Sequence, residues 1–375
     1  MKIVISGVNL VEAGPLKVFL DIIDAFSRQS TCSIICLVND VDLFDHNLSN
    51  VEYISLPKAK KNWLNRLYYE YFHFNLLAKK IRPQIWLSMH DMTPRLDSRL
   101  GIRQYVYCHN AAVLYNPKFS DLYYEPKFYL FSKFYKYLYK INVSKNISVI
   151  CQQHLLGDFL VNNVKAPSCI ISKPSSIVVN KSLDFKRDSY ELKSDFIIFY
   201  PALPRVFKNH ELLFKAIHLL ERENSKIKIK VLVTFDGSES RFSSYLYHKY
   251  SGLRSIEFLG KLDRKLVDYY YSKSDVVVFP SKLESLGLPI IEAKELCLPI
   301  ILSDLPYAHE TLGEYDRACF IDVNDAENLK VKLKLMMTGK LNFCKTKSNS
   351  DTNIILGWDK LVDKLILDAN ESLDK

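Results

Sequence analysis

The sequence has no long apolar run, and no stretch approaches the ~18 consecutive apolar residues that a membrane span requires. Its first residues, Met1–Gly7, lack the basic region, long apolar core and small-residue cleavage site of a signal peptide. The eight cysteines are scattered, and none form a Cys-x2-Cys pair with metal-ligand spacing. Cys36, Cys151 and Cys297 lie in apolar segments, where cysteine usually behaves as a small core residue. These absences predict a cytoplasmic protein with reduced thiols.

The length, composition and charge of the chain limit the choice of fold and partner. A chain of 375 residues is too long for one ordinary core, which predicts two domains of roughly 150–200 residues each. Hydrophobic residues make up 48% and charged residues 25%, as in globular proteins. The net charge of +9 is compatible with nucleic acid, an anionic membrane surface or a phosphorylated substrate, and does not choose among them.

Short apolar runs alternate with helical patterns in both halves of the chain, which predicts parallel sheets covered on both faces. Predicted strands of the first half are Ile3–Gly7, Cys32–Val38, Gln84–Met89, Gln104–Cys108, Val149–Gln152 and Ser168–Ser172. Those of the second half are Asp195–Tyr200, Ile227–Thr234, Ser255–Leu259, Asp275–Phe279, Pro299–Leu302 and Cys319–Val323.

The predicted domains are residues 1–179 and 195–351, followed by a C-terminal segment, 352–375. The polar stretch Asn180–Ser194 is interpreted as the linker. Two doubly wound halves place the ligand in a cleft at the carboxyl ends of their strands.

Two stretches of the first half, Lys58–Lys80 and Pro117–Ile141, combine tyrosine, phenylalanine and lysine. Basic amphipathic helices with aromatic residues lie on anionic bilayers, so a peripheral membrane surface is one interpretation. The other is a solvated helix that packs its aromatic residues into its own domain. Both stretches have helical patterns, whereas nucleic-acid binding needs base-stacking aromatic residues on an exposed sheet. No nucleic-acid partner is therefore predicted.

The segment from Phe279 to Glu295 carries the strongest chemical signal. A buried strand ends at Phe279, a short loop follows, and Pro289 stands where a helix starts. Unpaired backbone N–H groups at such a helix start favour phosphate, through their donors and through the helix dipole. Glu284 and Glu292 flank the same place. Because carboxylates repel phosphate, their presence indicates a ligand that also has hydroxyl groups, such as a sugar.

These residues resemble the Glu-x7-Glu element of retaining family 4 glycosyltransferases. Phe258-Leu-Gly-Lys-Leu resembles a strand end of that family, and Asp275-Val-Val-Val-Phe-Pro-Ser precedes the element as expected. Leu298–Asp304 and His309-Glu310 follow at the family's spacing, so the resemblance extends from Asp195 to about Asp325. It implies an α/β fold of the GT-B type, with two Rossmann-like doubly wound domains that face a central cleft. Residues 1–179 would bind the acceptor and residues 195–351 the donor. Gly357-Trp358-Asp359 resembles the start of the family's closing helix, which is expected to span Trp358–Asn370 and to cross back onto the N-terminal domain.

The resemblance also implies roles for individual residues. Glu292 would hold the donor ribose, Glu284 the transferred sugar, and the amides of Ser285, Leu286 and Gly287 the sugar and diphosphate. Lys261, with Leu259 and Gly260, would border the nucleobase. Lys208 and Arg205 would stabilise the leaving diphosphate, although Leu203 occupies the position of the family's arginine. Asn209 is expected to cap the following helix. In the first half, Gly14 would let the backbone approach the diphosphate, and His109 would contact the donor sugar.

The implied reaction is metal-independent transfer of a hexose or deoxyhexose from a GDP- or UDP-sugar, with retention of configuration and without a cofactor. The predicted acceptor is a lipid-linked oligosaccharide of O-antigen or capsule synthesis, at the inner, anionic face of a bacterial membrane. Asp40-Val41-Asp42 spells the Asp-x-Asp of metal-dependent transferases but is interpreted as a solvated turn. A non-catalytic nucleotide-sugar-binding partner protein and a nucleotide-sugar epimerase of similar fold remain alternatives.

Overall fold

The computed structural model describes residues 1–11, 13–45, 47–175, 196–224, 227–346 and 353–371. The predicted linker, Asn180–Ser194, lies outside the described residues. The chain divides into two compact units. Unit 1 consists of Met1–Val113, Phe134–Ser176 and Asp351–Lys375, and unit 2 of Leu114–Lys133 and Ile177–Ser350. Unit 2 therefore contains 20 residues from the first half of the chain, and unit 1 contains its C-terminal segment.

Unit 1 is built on an eight-stranded parallel sheet in the order β14-β7-β6-β5-β4-β1-β2-β3, with labels that follow chain order. Its strands are β1 (Lys2–Ser6), β2 (Ser33–Val38), β3 (Val51–Ser55), β4 (Ile85–Ser88), β5 (Arg103–Tyr107), β6 (Asn146–Cys151), β7 (Cys169–Lys173) and β14 (Ile354–Leu356). Its helices are α1 (Ala13–Ser27), α2 (Trp63–Tyr68), α3 (Phe74–Ile81), α6 (His154–Phe159) and α13 (Trp358–Asn370). Helix α5 (Pro126–Lys140) begins in unit 2 and ends in unit 1.

The strands of this sheet are apolar on both faces because helices cover both faces. Successive residues of β1 alternate between two core clusters, as the two-residue period of a strand requires. Ile3 and Ile5 pack with residues of α1 and α13, such as Phe19 and Leu361. Val4 packs on the opposite face, in the cluster that includes Phe74 of α3.

Helix α13 has the bounds predicted from the sequence and packs against α1 within unit 1. Arg28 forms an ion pair of 2.6 Å with Asp359, and Gln29 donates a 3.0 Å hydrogen bond to Asp363. Trp358 meets Tyr107 at the end of β5 with an edge-on ring contact of 6.1 Å. The C-terminal segment thus contributes to the core of unit 1. None of the helices in the described part of the chain is both long and apolar enough to span a membrane.

Unit 2 contains a six-stranded parallel sheet in the order β10-β9-β8-β11-β12-β13. Its strands are β8 (Phe196–Tyr200), β9 (Ile229–Val233), β10 (Ile256–Phe258), β11 (Val276–Phe279), β12 (Ile300–Ser303) and β13 (Ala318–Ile321). Its helices are α4 (Phe119–Tyr124), α7 (His210–Glu223), α8 (Arg241–Tyr250), α9 (Arg264–Lys273), α10 (Leu288–Glu295), α11 (Pro306–Leu312) and α12 (Ala326–Met337). The chain winds outward from β8 in one direction and from β11 in the other, so the topological switch point lies between these two strands.

Several elements were not predicted from the sequence, among them β3, β14, α8, α11 and α12. The three residues of β14 form the edge of the sheet beside β7 and are at least partly exposed, so they carry little periodic signal. Asp40-Val41-Asp42, interpreted as a solvated turn, enters a short 3-10 helix over Val41–Leu43. The Asp40 side chain accepts the Asp42 N–H at 3.1 Å in an exposed position.

Gly7 packs its backbone directly against a buried ring, which gives a prediction about stability. A Cβ at this position would lie 2.2 Å from Cε1 of the fully buried Phe19. Gly7→Ala should therefore destabilise the protein by about 1–3 kcal/mol through overpacking, measured as a lower urea midpoint. Gly14→Ala is the matched control, because a Cβ at Gly14 would meet no atom within 4 Å. Equal midpoints for the two variants would contradict this account.

Candidate functional site at the strand switch point of unit 2

The loops that follow β8 and β11 meet at the switch point and are joined by hydrogen bonds. The Lys282 amide donates to the Phe207 carbonyl at 2.7 Å. Asn209 occupies the N-cap position of α7 but adopts left-handed backbone angles, with φ of 60°. Its side chain donates to the carbonyls of Pro280 (3.1 Å) and Val323 (2.9 Å) and makes no cap bond. The predicted capping role was wrong, because this residue joins three strand ends instead.

Lys208 and Glu284 lie together at the centre of this junction. The Lys208 ammonium and a Glu284 carboxylate oxygen are 2.5 Å apart, and their side chains are 17% and 10% exposed. The ammonium also lies over the ring of Phe279, 5.2 Å from its centroid. The buried Tyr200 donates to the Lys208 carbonyl at 2.5 Å and so fixes the loop from the strand side. Two of the predicted residues are therefore in direct contact.

The start of α10 provides backbone donors next to Glu284. Among the described residues, none accepts a hydrogen bond from the backbone N–H of Ser285, Leu286 or Gly287. Gly287 has a φ of 78°, in the left-handed region that glycine tolerates, and its Cβ position lies 3.1 Å from Ile290 Cδ1. The amides that the sequence predicted as diphosphate donors are therefore unpaired.

Glu292 is buried one helical turn into α10, and two groups of α9 hold its carboxylate. Arg264 donates to Oε1, and Tyr271 donates to Oε2 at 2.7 Å. Burial, followed by the neighbouring Glu292 charge, raises the pKa of Tyr271 well above its usual value, so the phenol remains a donor. Arg264 also pairs with Asp268 at 2.6 Å. Arg264, Asp268 and Tyr271 were not predicted from the sequence, although Arg264 and Asp268 have the spacing of a helical ion pair.

Arg205, the predicted second cation of the site, is engaged by the segment that unit 2 takes from the first half of the chain. Its Nε donates to Glu125 at 2.6 Å, and the other oxygen of Glu125 accepts the Val206 amide at 2.8 Å. The guanidinium lies over the rings of Phe128 and Phe207, at 5.6 and 5.4 Å. Arg205 remains 46% exposed at its side chain. Nothing in the local sequence indicates Glu125, which precedes its partner by 80 residues.

Lys261 lies exposed in the loop between β10 and α9. The preceding Gly260 has a φ of 71°, and a Cβ there would approach Asp236 Oδ2 to 3.3 Å. The turn therefore requires glycine at this position. Asp263 caps α9 by accepting the Leu266 amide at 2.8 Å, and thus fixes where Arg264 enters the helix.

The remaining two predicted residues, His109 and Gly14, lie in unit 1. His109 follows β5, and its backbone N–H donates to the partly buried Asp91 carboxylate at 2.7 Å. Burial lowers the pKa of His109 to about 4, against the opposing effect of a hydrogen bond with the Met89 backbone. The ring is therefore neutral at pH 7, and its Nε2 has no hydrogen-bond partner among the described residues. Gly14 lies exposed in the first turn of α1.

The chain matches the family model described as "Glycosyl transferases group 1" over residues 181–352. It is 27% identical over 126 residues to the O-antigen chain mannosyltransferase B of Escherichia coli, a match that covers 34% of this chain and 32% of that protein. It is 32% identical over 79 residues to the O-antigen chain mannosyltransferase RfbU of Salmonella typhimurium, over 21% of this chain and 22% of that protein. The alignments thus span less than a third of the length of each of these curated relatives.

Solved structures of the same architecture cover almost the whole chain. A glycosyltransferase from Rickettsia africae has a TM-score of 0.66 at 16% identity, over 99% of this chain and 98% of that one. Anabaena HepE in complex with UDP-glucose has a TM-score of 0.60 at 12% identity, over 100% of this chain and 99% of that one. With the two parallel sheets, these likenesses identify the GT-B fold of two Rossmann-like units that was predicted from the sequence.

The contact between Lys208 and Glu284 predicts a specific pattern of stability changes. Lys208→Met leaves the Glu284 carboxylate largely buried without its cation, which should cost on the order of 3 kcal/mol. Adding Glu284→Gln to that variant removes the uncompensated charge and should restore most of the loss. Urea unfolding of the wild type, both single variants and the double variant measures the coupling. Strictly additive losses would mean that the two side chains do not interact in solution.

Proposed function

We propose that this chain, which matches the glycosyl transferases group 1 model over residues 181–352, is a retaining glycosyltransferase. In this proposal it transfers a hexose or deoxyhexose from a GDP- or UDP-linked donor to an acceptor hydroxyl. The observation that carries the proposal is the Lys208–Glu284 ion pair beside the three unpaired amides before α10. Cation, carboxylate and free amides meet at a switch point, where doubly wound sheets bind their ligands.

Each of these groups matches one part of a nucleotide sugar. The unpaired amides and the helix dipole of α10 favour the diphosphate. Lys208, with Arg205, neutralises the charge that grows on the leaving diphosphate. Glu284 accepts hydrogen bonds from the transferred sugar, and Glu292 from the two ribose hydroxyls. Lys261 borders the nucleobase.

The proposed chemistry needs no protein nucleophile. The bond from the anomeric carbon to the diphosphate oxygen breaks while the acceptor oxygen bonds to the same face of that carbon. The acceptor's proton passes to an oxygen of the departing diphosphate. The protein positions the reactants and stabilises charge. From the family resemblance alone, we also propose that His109, whose Nε2 has no hydrogen-bond partner among the described residues, and Gly14 take part in donor binding. We propose that neither a metal ion nor a cofactor is needed.

Nucleotide-binding measurements can identify the nucleotide of the donor, which the similar proteins do not determine. The two curated relatives are named mannosyltransferases, and HepE was solved with UDP-glucose. Calorimetric titration with UDP, GDP, CMP, dTDP and NAD, all in EDTA, should give selective binding of UDP or GDP. Lys208→Ala and Glu292→Ala should each weaken that binding by at least about ten-fold, since each removes a charge-assisted interaction.

Lys330→Ala is the matched control for this titration. Lys330 is also a largely buried lysine in an ion pair, 2.6 Å from Glu223, but Glu223 lies at the opposite end of α7 from Lys208. This end of the 14-residue helix is about 20 Å from its start. Unchanged binding in this variant shows that the loss is specific to the site. If no nucleoside diphosphate binds the wild type, the transferase proposal fails. Binding without sugar transfer favours the non-catalytic partner protein, and interconversion of the sugar itself favours an epimerase.

We also propose that the acceptor is a lipid-linked oligosaccharide of O-antigen or capsule synthesis, reached at the anionic inner face of the membrane. Support comes from the helical run 63–81 of unit 1, which presents an apolar stripe of Leu64, Tyr68, Phe72 and Leu76. These side chains are 52–78% exposed. The apolar stripe is flanked on both sides by exposed lysines, which are Lys58, Lys60, Lys61, Lys79 and Lys80. Apolar residues between basic ends suit an anionic lipid surface.

The π-helical turn Tyr69–His73 keeps this stripe straight. Side chains four residues apart drift around an α-helix, because one turn takes only about 3.6 residues. The wider π turn drifts in the opposite sense. The stripe therefore stays on one side of the run, and the buried residues Arg66, Glu70, Phe74 and Ala78 stay on the other.

Cosedimentation with vesicles tests the membrane part of the proposal. At low salt the protein should bind vesicles that contain phosphatidylglycerol and not vesicles of pure phosphatidylcholine. Phe72→Glu with Leu76→Glu should reduce binding by at least about ten-fold, since two apolar side chains no longer enter the lipid. Leu367→Glu is the control, as Leu367 is a 59% exposed apolar residue on α13 of the same unit. Equal losses with the control, or no wild-type binding, would contradict a membrane surface at this stripe.

A further inference from the structure

One face of helix α9 is directed at the Glu292 carboxylate. Arg264, Asp268 and Tyr271 have the spacing i, i+4 and i+7, which places them on one side of the helix. Arg264 and Tyr271 each donate to a different oxygen of Glu292. Asp268 pairs with the other terminal nitrogen of Arg264 at 2.6 Å. The guanidinium thus bridges two carboxylates of adjacent helices.

The two carboxylates depend on this one cation. The side chains of Glu292 and Asp268 are 8% and 2% exposed, whereas that of Arg264 is 47% exposed. In the described part of the chain, no other cationic side chain pairs with either of them. Arginine suits this position because its planar guanidinium has several N–H donors in a fixed geometry and can bind two carboxylates at once. The ammonium of lysine would bind them without such a fixed orientation.

These contacts fix the Glu292 carboxylate but leave some of its hydrogen-bond acceptor positions unoccupied. An ionised carboxylate has about four acceptor positions on its two oxygens. Arg264 and Tyr271 take one position on each oxygen, so each oxygen retains one. Tyr271 is itself fully buried and its ring packs edge-on against Phe199 at 5.1 Å. The carboxylate is thus held from the core side by Tyr271 and from the solvent side by Arg264.

We propose that Arg264 is a positioning residue that orients Glu292 towards the ribose and so makes the site select ribonucleotides over deoxyribonucleotides. This inference rests on the proposed function, in which Glu292 accepts the ribose hydroxyls. Two aligned acceptor positions recognise two neighbouring hydroxyls, and a nucleotide that lacks one of them leaves an acceptor unpaired. Without Arg264, the Glu292 carboxylate loses its alignment, and both kinds of nucleotide bind with similar affinity.

The test compares two ligands in each variant. Affinities for the ribonucleoside diphosphate that the wild type prefers, UDP or GDP, and for its 2′-deoxy analogue are measured by calorimetry. The wild type should prefer the ribonucleotide by about ten-fold, the loss expected for one hydrogen bond to a charged group. In Arg264→Ala the ratio should fall to within about two-fold of unity. The ratio is insensitive to a smaller folded fraction, which affects both ligands equally.

Two further variants complete the design. Tyr271→Phe removes the other donor to Glu292 and should also lower the ratio, which keeps the test valid if Arg264→Ala folds poorly. Lys265→Ala is the matched control, because Lys265 is the neighbouring exposed cation on the same helical turn. It should leave the ratio at the wild-type value. The double variant Arg264→Ala with Glu292→Gln should be no less selective than Glu292→Gln alone, since Arg264 acts through Glu292.

Three outcomes overturn the inference. An unchanged ratio in both Arg264→Ala and Tyr271→Phe would show that neither group orients the carboxylate. An equal-fold loss of affinity for both ligands in Arg264→Ala would show that Arg264 contributes only its charge to binding and does not orient Glu292. A loss of selectivity in Lys265→Ala equal to that in Arg264→Ala would show that the effect is not specific to Arg264. A wild type that binds no nucleoside diphosphate is a different result, because it removes the proposed function itself.

Discussion

The ion pair between Lys208 and Glu284 is the contact around which the site in unit 2 is arranged. It connects the loop after β8 with the loop after β11, at the point where the winding direction of the sheet reverses. The hydrogen bond from Lys282 to Phe207 and those of the Asn209 side chain support the same junction. Because these contacts fix the two loops together, the start of α10 has a defined position relative to the end of β8.

Three cations of the site, Lys208, Arg205 and Arg264, share one property, since each is paired with a carboxylate of the protein. Lys208 pairs with Glu284, Arg205 with Glu125, and Arg264 with Glu292. A buried charge without a partner costs several kcal/mol, so these pairs compensate the buried carboxylates Glu125, Glu284 and Glu292 in the ligand-free unit. A nucleotide sugar carries both a diphosphate and hydroxyl groups. In the proposed function it would meet the cations through its diphosphate and the free acceptor positions of the carboxylates through its hydroxyl groups, whereas a simple phosphate would leave the carboxylates opposed to its charge.

The sequence predicted the fold and much of the site where the signal was local. Glu284, Gly287 and Glu292 stand within nine residues of one another, and the strand, turn and proline that place them are equally close. The pairing of Arg205 with Glu125 could not be foreseen in the same way, because the two residues are 80 positions apart and Glu125 lies among aromatic residues. Asn209 was misjudged for a related reason. Its type favours capping, but distant carbonyls compete for its side chain and determine its backbone conformation.

The helical run 63–81 of unit 1 combines an exposed apolar stripe with a buried side on which an ion pair accompanies the apolar residues Phe74 and Ala78. Its buried side contains the ion pair of Arg66 and Glu70, 2.8 Å apart, beside His90. Burial raises the pKa of Glu70 to about 7 although Arg66 opposes the shift. Its exposed side carries leucine, tyrosine and phenylalanine. Helices of water-soluble proteins normally place these classes the other way round. Burying the ion pair and exposing the apolar stripe to water are both energetically unfavourable. A lipid surface over the stripe would remove the cost of its exposure to water.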